Sequence, residues 1–281
     1  MTYLVTGANG GFGGLALNFL KELVPQNKIY ALVRSEEKGA ALKEAGFNVR
    51  IGDYSTIDSM KSVLQGIDRL LFVSGAPGNR QAEHENVVKA AKEVGVSYIA
   101  YTSFADADHS TSELAADHIF TEKVIEESGI AHTFLRNNWY LENEMPIIGQ
   151  ALTSSKFVYA AEAGKVGWAL RREYAEVAAK AVAGTTYPAI LELSGEPITY
   201  AELAEALKVA TGKDIEVIAS DDQGFVDNLV AGGLPQPVAE MFLSFQHDIK
   251  NDQLDVYSDN FAEALGRPLA SRVAALKELL K

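Results

Sequence analysis

Five glycines fall within residues 7–14, between two apolar runs of different period. Before them Tyr3, Leu4 and Val5 suit a short buried strand. After them residues 15–23 carry apolar side chains at helical spacing, with Leu15, Phe19 and Leu20 on one face. A glycine-dense stretch has little to pack, so a folded chain keeps it as a turn held by its neighbours. Strand, glycine turn and helix, in that order, open a dinucleotide-binding α/β fold. Gly7 is expected to make the tight turn and Gly13 to let the helix lie close to the strand. Gly10, with no Cβ, lets a pyrophosphate approach the backbone. The helix start then aims N–H groups and the positive end of its dipole at the phosphates.

The following 120 residues repeat the alternation. Residues 28–33 read as a second strand that ends at Arg34-Ser35. An acid at this place would accept hydrogen bonds from a ribose 2′-OH; an arginine accommodates the 2′-phosphate of NADP. Glu36 and Glu37 would repel that phosphate, so they are expected to point away on a helix capped by Ser35. Residues 48–51 form a third strand, leading to Gly52-Asp53-Tyr54. Asp53 is placed either to accept from the adenine amino group or to form the turn, and the sequence leaves both open. Residues 55–64 read as a helix, capped by Ser55 or Thr56. Residues 69–73 form an apolar fourth strand that runs into Ser74-Gly75-Ala76-Pro77-Gly78, small enough to leave room for ribose and nicotinamide. A helix over 81–94 and a fifth strand over 97–101 follow. The pattern predicts a Rossmann-type, doubly wound parallel sheet with its site at the strands' carboxyl ends.

Ordinary short-chain reductases carry a Ser after the fifth strand and a Tyr-x-x-x-Lys on the next helix. Here Ser103 is in place and the helix, over 113–128, contains Lys123, but the tyrosine position holds Ile119. Isoleucine cannot protonate the alkoxide that forms when hydride adds to a ketone. The catalytic candidates are His118, a proton donor in the tyrosine's place or else a surface or structural histidine, and Lys123, which is expected to touch the nicotinamide ribose or a side chain rather than to act as a base. Residues 131–135 form a sixth strand and lead into Arg136 to Asn143, whose aromatics and asparagines suit a site wall. A net charge of −13 argues against nucleic acid or an anionic membrane as partner, and no apolar run approaches the length of a membrane span. The chain has no cysteine, which rules out disulfides and thiolate metal sites and suits a reducing cytosol; five scattered histidines give no metal cluster.

Several stretches together carry a family resemblance. The glycine turn, spaced Gly-x-x-Gly-x-x-Gly after Thr6, is joined by Leu32-Val33-Arg34, Gly52-Asp53, Tyr101-Thr102-Ser103, His118 with Thr121-Glu122-Lys123, and residues 135–143. The combination resembles the NmrA-like atypical short-chain dehydrogenase/reductases, closest to the type 2 NADPH:quinone oxidoreductases and the triphenylmethane dye reductases. The resemblance implies that Gly7, Ala8, Asn9, Gly10, Gly11, Phe12, Arg34, Ser74, Gly75, Ala76, Asn138, Trp139, Tyr140 and Asn143 bind NADP, with Arg171 near the cofactor or substrate. It implies hydride transfer from NADPH to a quinone or similar electron-poor acceptor, with no flavin and no metal. Phe104, Trp139 and Tyr140 are the candidate substrate walls. The competing expectations are an NADP-binding sensor without turnover and a reductase of aromatic double bonds like the isoflavone reductases. The natural acceptor and the oligomeric state, a homo-oligomer among the options, are left open.

The expected division is a nucleotide domain over 1–150, with a contribution from about 165–195, and a smaller α/β lobe over 196–281 that covers the nicotinamide end. Residues 157–159 and 164–170 read as irregular chain. A helix is expected from Arg171, a seventh strand over 187–194, and a helix to Thr211 that opens with a Thr199/Glu202 capping box. A short strand over 215–218 and helices over 221–231, 237–248 and 270–280 complete the lobe. Phe225, Phe242 and Phe245 are either pocket lining or core.

Overall fold

The computed structural model describes residues 1–75 and 78–281. In chain order the elements are β1 (Tyr3–Val5), α1 (Gly11–Leu23), β2 (Ile29–Val33), α2 (Glu36–Glu44), β3 (Asn48–Ile51), α3 (Ile57–Leu64), β4 (Arg69–Phe72), α4 (Arg80–Val94), β5 (Tyr98–Phe104), α5 (Glu113–Ser128) and β6 (Ala131–Asn137). There follow α6 (Met145–Ser154), β7 (Lys156–Tyr159), β8 (Lys165–Val166), α7 (Arg171–Ala183), β9 (Ile190–Leu193), β10 (Ile198–Thr199) and α8 (Tyr200–Thr211). The last are β11 (Glu216–Ala219), α9 (Asp222–Ala231), α10 (Gln236–Lys250), α11 (Asn260–Leu265) and α12 (Arg272–Leu279).

The chain divides into two compact units: Met1–Asn137 with Arg172–Leu193, and Asn138–Arg171 with Ser194–Lys281. The boundary after the sixth strand therefore falls at Asn137 rather than at 150, and residues 138–171 belong with the C-terminal unit.

The first unit is a seven-stranded, all-parallel sheet in the order β3-β2-β1-β4-β5-β6-β9. Strands flanked on both faces by helices must be apolar throughout, and they are: Leu4, Val5, Leu70, Leu71 and Phe72 have no exposed surface. The order reverses between β1 and β4, whose register pairs Tyr3 with Arg69 and Val5 with Leu71. A crevice opens at such a reversal, outside the carboxyl ends of the strands. Helix α1 starts at Gly11, inside the glycine run. The residues that it buries are Phe12, Gly13, Ala16, Leu17 and Leu20. Leu15 and Phe19, expected on the inner face, are only half-buried. Starting the helix four residues earlier brings Phe12 into the buried stripe and rotates Leu15 to its edge.

The second unit contains a parallel pair, β7 with β11, and an antiparallel pair, β8 with β10. Residues 157–159 and 165–166, expected to be irregular, are thus strands. Each is short and finds its partner far along the chain (Phe157 opposite Val217, Val166 opposite Ile198), so local patterning carries no trace of the pairing. Helix α6 has no counterpart among the expected elements. The capping box at Thr199 and Glu202 is present. Phe225 is fully buried core, whereas Phe242 and Phe245 are half-buried and meet edge to face at 5.8 Å.

Candidate nucleotide-binding site

A cavity of about 280 Å³ lies at the reversal point of the first unit. Its lining comes from Gly7, Asn9 and Gly10 after β1, from Arg34 and Lys38 after β2, from Asp53 and Tyr54 after β3, and from Val73, Ser74 and Gly75 after β4.

The glycine turn is shaped by what its residues lack. Gly7 adopts φ +59°, a left-handed conformation that suits glycine, and its carbonyl accepts from the Gly10 N–H at 2.9 Å. A Cβ on Gly13 would stand 2.2 Å from the Gly7 carbonyl oxygen, so only glycine lets the helix come this close. Helices α2, α3 and α5 are capped by the side chains of Ser35, Thr56 and Ser112. Helix α1 begins on Gly10, which has no side chain to cap with. A helix start without a side-chain cap, at the floor of a cavity, suits a bound anion. Ala8 and Phe12 are buried within the same turn, and Gly11 is exposed beside it; none of the three is among the lining residues.

Cations stand at the end of β2. Arg34 lines the cavity as expected, and Lys38, not anticipated, joins it. Ser35 caps α2 by accepting from the Lys38 N–H at 3.3 Å, which sets the first helical turn with Lys38 towards the strand end. Glu36 pairs with Lys43, and neither it nor Glu37 is part of the lining. The register from the cap could have revealed Lys38: three residues on, it returns to the face of the cap.

Asp53 lines the cavity and also forms the turn. Its carboxylate accepts from the backbone and the hydroxyl of Ser55, which, with nearby Arg34, lowers its pKa. The anionic carboxylate still offers lone pairs to a donor. Tyr54 is half-buried, and the burial of its phenol pushes its pKa up to about 12, so it stays neutral.

The segment after β4 has left the sheet, yet three successive backbone N–H groups are held by side chains. Val73 donates to Thr6 Oγ1 at 2.8 Å, Ser74 to Thr102 Oγ1 at 2.8 Å, and Gly75 to His84 Nε2 at 3.0 Å. Ser74 and Gly75 line the cavity; Ala76 lies outside the described residues.

The two catalytic candidates, His118 and Lys123, are not among the residues that line the cavity. His118 is buried, and burial, with Arg80 beside it, lowers its pKa to about 3. Its ring nitrogens face the Tyr101 hydroxyl at 3.0 Å and the Arg80 guanidinium at 3.4 Å. Such an imidazole is neutral and has no acidic proton to give near pH 7. Lys123 is not at the cavity: its side chain is 71 % exposed, and its nearest carboxylate is Glu127, 3.9 Å away. Ile119 is likewise on the exposed face. Ser103 donates to Glu122, whose carboxylate receives two hydrogen bonds from Arg136, at 3.0 and 2.7 Å. Arg136 also holds Asp108 and Glu192. Phe104 is buried 6.1 Å from the His118 ring, as core.

The remaining expected residues belong to the second unit. Asn138 is buried and donates to Ser194 Oγ and the Leu254 carbonyl, both at 3.1 Å, while its Oδ1 accepts from the Trp139 N–H. Gly167 leaves room for that amide, since a Cβ there would stand 3.1 Å from Asn138 Nδ2. Trp139 meets Phe245 edge to face at 5.2 Å. Tyr140 bridges to Ala169 and carries the Arg171 guanidinium 5.3 Å from its ring centre; the Arg171 N–H donates to Glu142. The Asn143 N–H donates to the Tyr140 carbonyl at 2.9 Å. Glu144, unremarked in the sequence, is fully enclosed. It accepts from Trp168 Nε1 and the Tyr200 hydroxyl, and burial raises its pKa to about 7.

Comparison with known proteins places these observations in a wider set. Residues 7–183 match the family model described as NAD(P)H-binding. Quinone oxidoreductase 2 of Escherichia coli strain K12 is 35% identical over 98% of this chain and 97% of its own length. The crystal structure of the NADPH-dependent quinone oxidoreductase from Escherichia coli, complexed with NADPH, superposes with a TM-score of 0.92 at 34% identity, covering 100% of both chains. The triphenylmethane reductase of Citrobacter sp. gives a TM-score of 0.95 at 32% identity over 100% of this chain and 99% of that one.

Proposed function

This chain belongs to the NAD(P)H-binding family, and from that premise we propose that it is an NADPH-dependent oxidoreductase that delivers hydride to a quinone or a similarly electron-poor small molecule. The observation that carries the cofactor choice is the pair of cations, Arg34 and Lys38, beside the glycine turn in one cavity. Two cations suit a 2′-phosphate, and the guanidinium fork adds directional hydrogen bonds. The turn after β1 and the start of α1 would hold the pyrophosphate, and Asp53 would accept from the adenine amino group.

Bound NADPH supplies the hydride. The protein's part is binding, orientation and exclusion of water. The place where ketone reductases keep a proton donor offers none: Ser103 is committed to Glu122, Ile119 is apolar, and Lys123 faces solvent. A quinone tolerates that arrangement, because hydride addition gives a delocalised hydroquinone anion that water can protonate. A ketone does not, because its alkoxide needs an acid in place. The same lack of a donor favours the second reading, an NADP-binding sensor without turnover. Reduction of an aromatic double bond, which would lean on a helix lysine, gains nothing from an exposed Lys123.

Following NADPH absorbance with and without a simple benzoquinone separates these readings. Quinone-dependent oxidation, with NADPH bound more tightly than NADH, supports the reductase. Tight NADPH binding without turnover on any quinone supports the sensor and overturns the reductase.

A further inference from the structure

His84 touches no surface of the molecule and takes no part in the function above, yet its partners leave its ring only one protonation pattern. The Gly75 N–H, 3.0 Å from Nε2, can only donate, so Nε2 must carry a lone pair. Nδ1 lies 2.8 Å from Thr121 Oγ1, and the Thr121 hydroxyl spends its own proton on the Asp117 carbonyl at 2.7 Å. Thr121 therefore receives a hydrogen bond from His84, and Nδ1 must carry the proton. The imidazole is closed in by Phe72 (4.7 Å between ring centres), Tyr101 (5.9 Å) and Tyr54 (6.3 Å), and has no exposed surface. Burial, with Arg80 and His118 nearby, lowers its pKa to about 3, which agrees with the neutral ring that the geometry requires.

Gly75 is part of the cavity wall. It stands beyond the end of β4, where no strand partner takes its N–H, and His84 supplies the acceptor from the first turns of α4. Together with Thr6 and Thr102, it turns the three N–H groups of residues 73–75 into the protein body. The wall that faces the cavity is thus poor in backbone donors, which suits the hydroxyls of a ribose and not the oxygens of a phosphate.

We propose that His84 is a positioning residue of the nucleotide site, which as a neutral imidazole protonated on Nδ1 holds the Gly75 N–H and so fixes the wall after β4 in its binding shape. The proposal rests on the reading of the cavity as an NADPH site and adds a residue that never meets the nucleotide. A histidine that merely filled space would be replaceable by an apolar side chain of similar size. A histidine that holds Gly75 would not, but a glutamine, whose Oε1 can reach the Nε2 position, would serve in part.

The test uses the full-length protein and NADPH itself. In a long-range ¹H–¹⁵N spectrum of the ligand-free wild type at pH 7, His84 is expected to be neutral with its proton on Nδ1, and the Gly75 amide to exchange slowly. Titration calorimetry on His84→Leu is expected to show a Kd for NADPH at least tenfold weaker per folded molecule, with fast Gly75 exchange. His84→Gln is expected to stay within about threefold of wild type. A charged His84, the opposite tautomer, or a His84→Leu protein that binds NADPH as the wild type does would overturn the proposal. The spectrum of the wild type decides even if the leucine variant does not fold. A wild type that binds no NADPH at all would instead sink the reading of the cavity.

Discussion

The turn after β1 and the segment after β4 line one cavity and are built in opposite ways. The first is made by omission. Glycine at 7, 10 and 13 removes the side chains that would clash or cap, and leaves the backbone and the start of α1 to the ligand. The second is made by addition. Thr6, Thr102 and His84 each take up one N–H and turn it away. Both stretches lie at carboxyl ends of adjacent parallel strands, so topology alone does not tell them apart. The difference lies in who holds the amides, and under the proposed function it would sort an extended ligand with phosphates in one part and hydroxyls in another.

Four substitutions or conditions can break this contrast or make it sharper. Gly13→Ala strikes the first wall alone. A Cβ at 2.2 Å from a backbone oxygen must move the helix or the turn, and NADPH binding is expected to vanish in calorimetry while the sheet unit still folds, at a cost of several kcal/mol, about 3 or more. Acid strikes the second wall. His84 is held at about 3 when folded against 6.5 unfolded, so between those values the unfolded chain binds a proton that the folded chain does not. Stability is therefore present above about pH 6.5 and is lost as pH falls, by roughly 1.4 kcal/mol per pH unit for this one group. Denaturant melts of wild type and His84→Gln across that window should differ in slope by that amount. The subtraction removes contributions of opposite sign, such as Glu144, whose raised pKa lowers stability as pH climbs from 4.5 towards 7.

Arg34→Ala sharpens the contrast at the adenosine end. It should weaken NADPH by about 10- to 100-fold, the worth of a charge-assisted hydrogen bond to phosphate, and leave NADH nearly unchanged, as fluorescence titration would show. Thr102→Val is the mildest change. It keeps the shape and orphans the Ser74 N–H, so about 1–3 kcal/mol of stability and a few-fold of NADPH affinity should be lost, with no change in the preference for the phosphate.

The two walls also differ in how well the sequence announces them. Glycines at fixed spacing between a strand and a helix are a local pattern, and so is an arginine directly after a strand; Gly7, Gly10 and Arg34 all line the cavity. The parallel sheet is legible for the same reason, because strands buried on both faces are apolar without interruption. The second wall is assembled from three separate elements: Thr6 is 67 residues from Val73, and Thr102 is 28 from Ser74. No window of sequence contains those pairs. The surroundings of His118 and Lys123 were not legible, because helical spacing says which residues share a face and not whether the face looks inward. The pairing of β7 with β11 was hidden likewise by sequence distance.

The fate of Ser103 has a consequence for anyone who would retrofit this scaffold. Its hydroxyl is wired through Glu122 into a buried knot of charge around Arg136, which reaches Asp108 and Glu192. A tyrosine written in at position 119 would stand outside, 40 % exposed like the isoleucine that it replaced. Installing carbonyl chemistry would mean untying that knot and turning a helix, so the obstacle lies in the architecture and is not one codon deep.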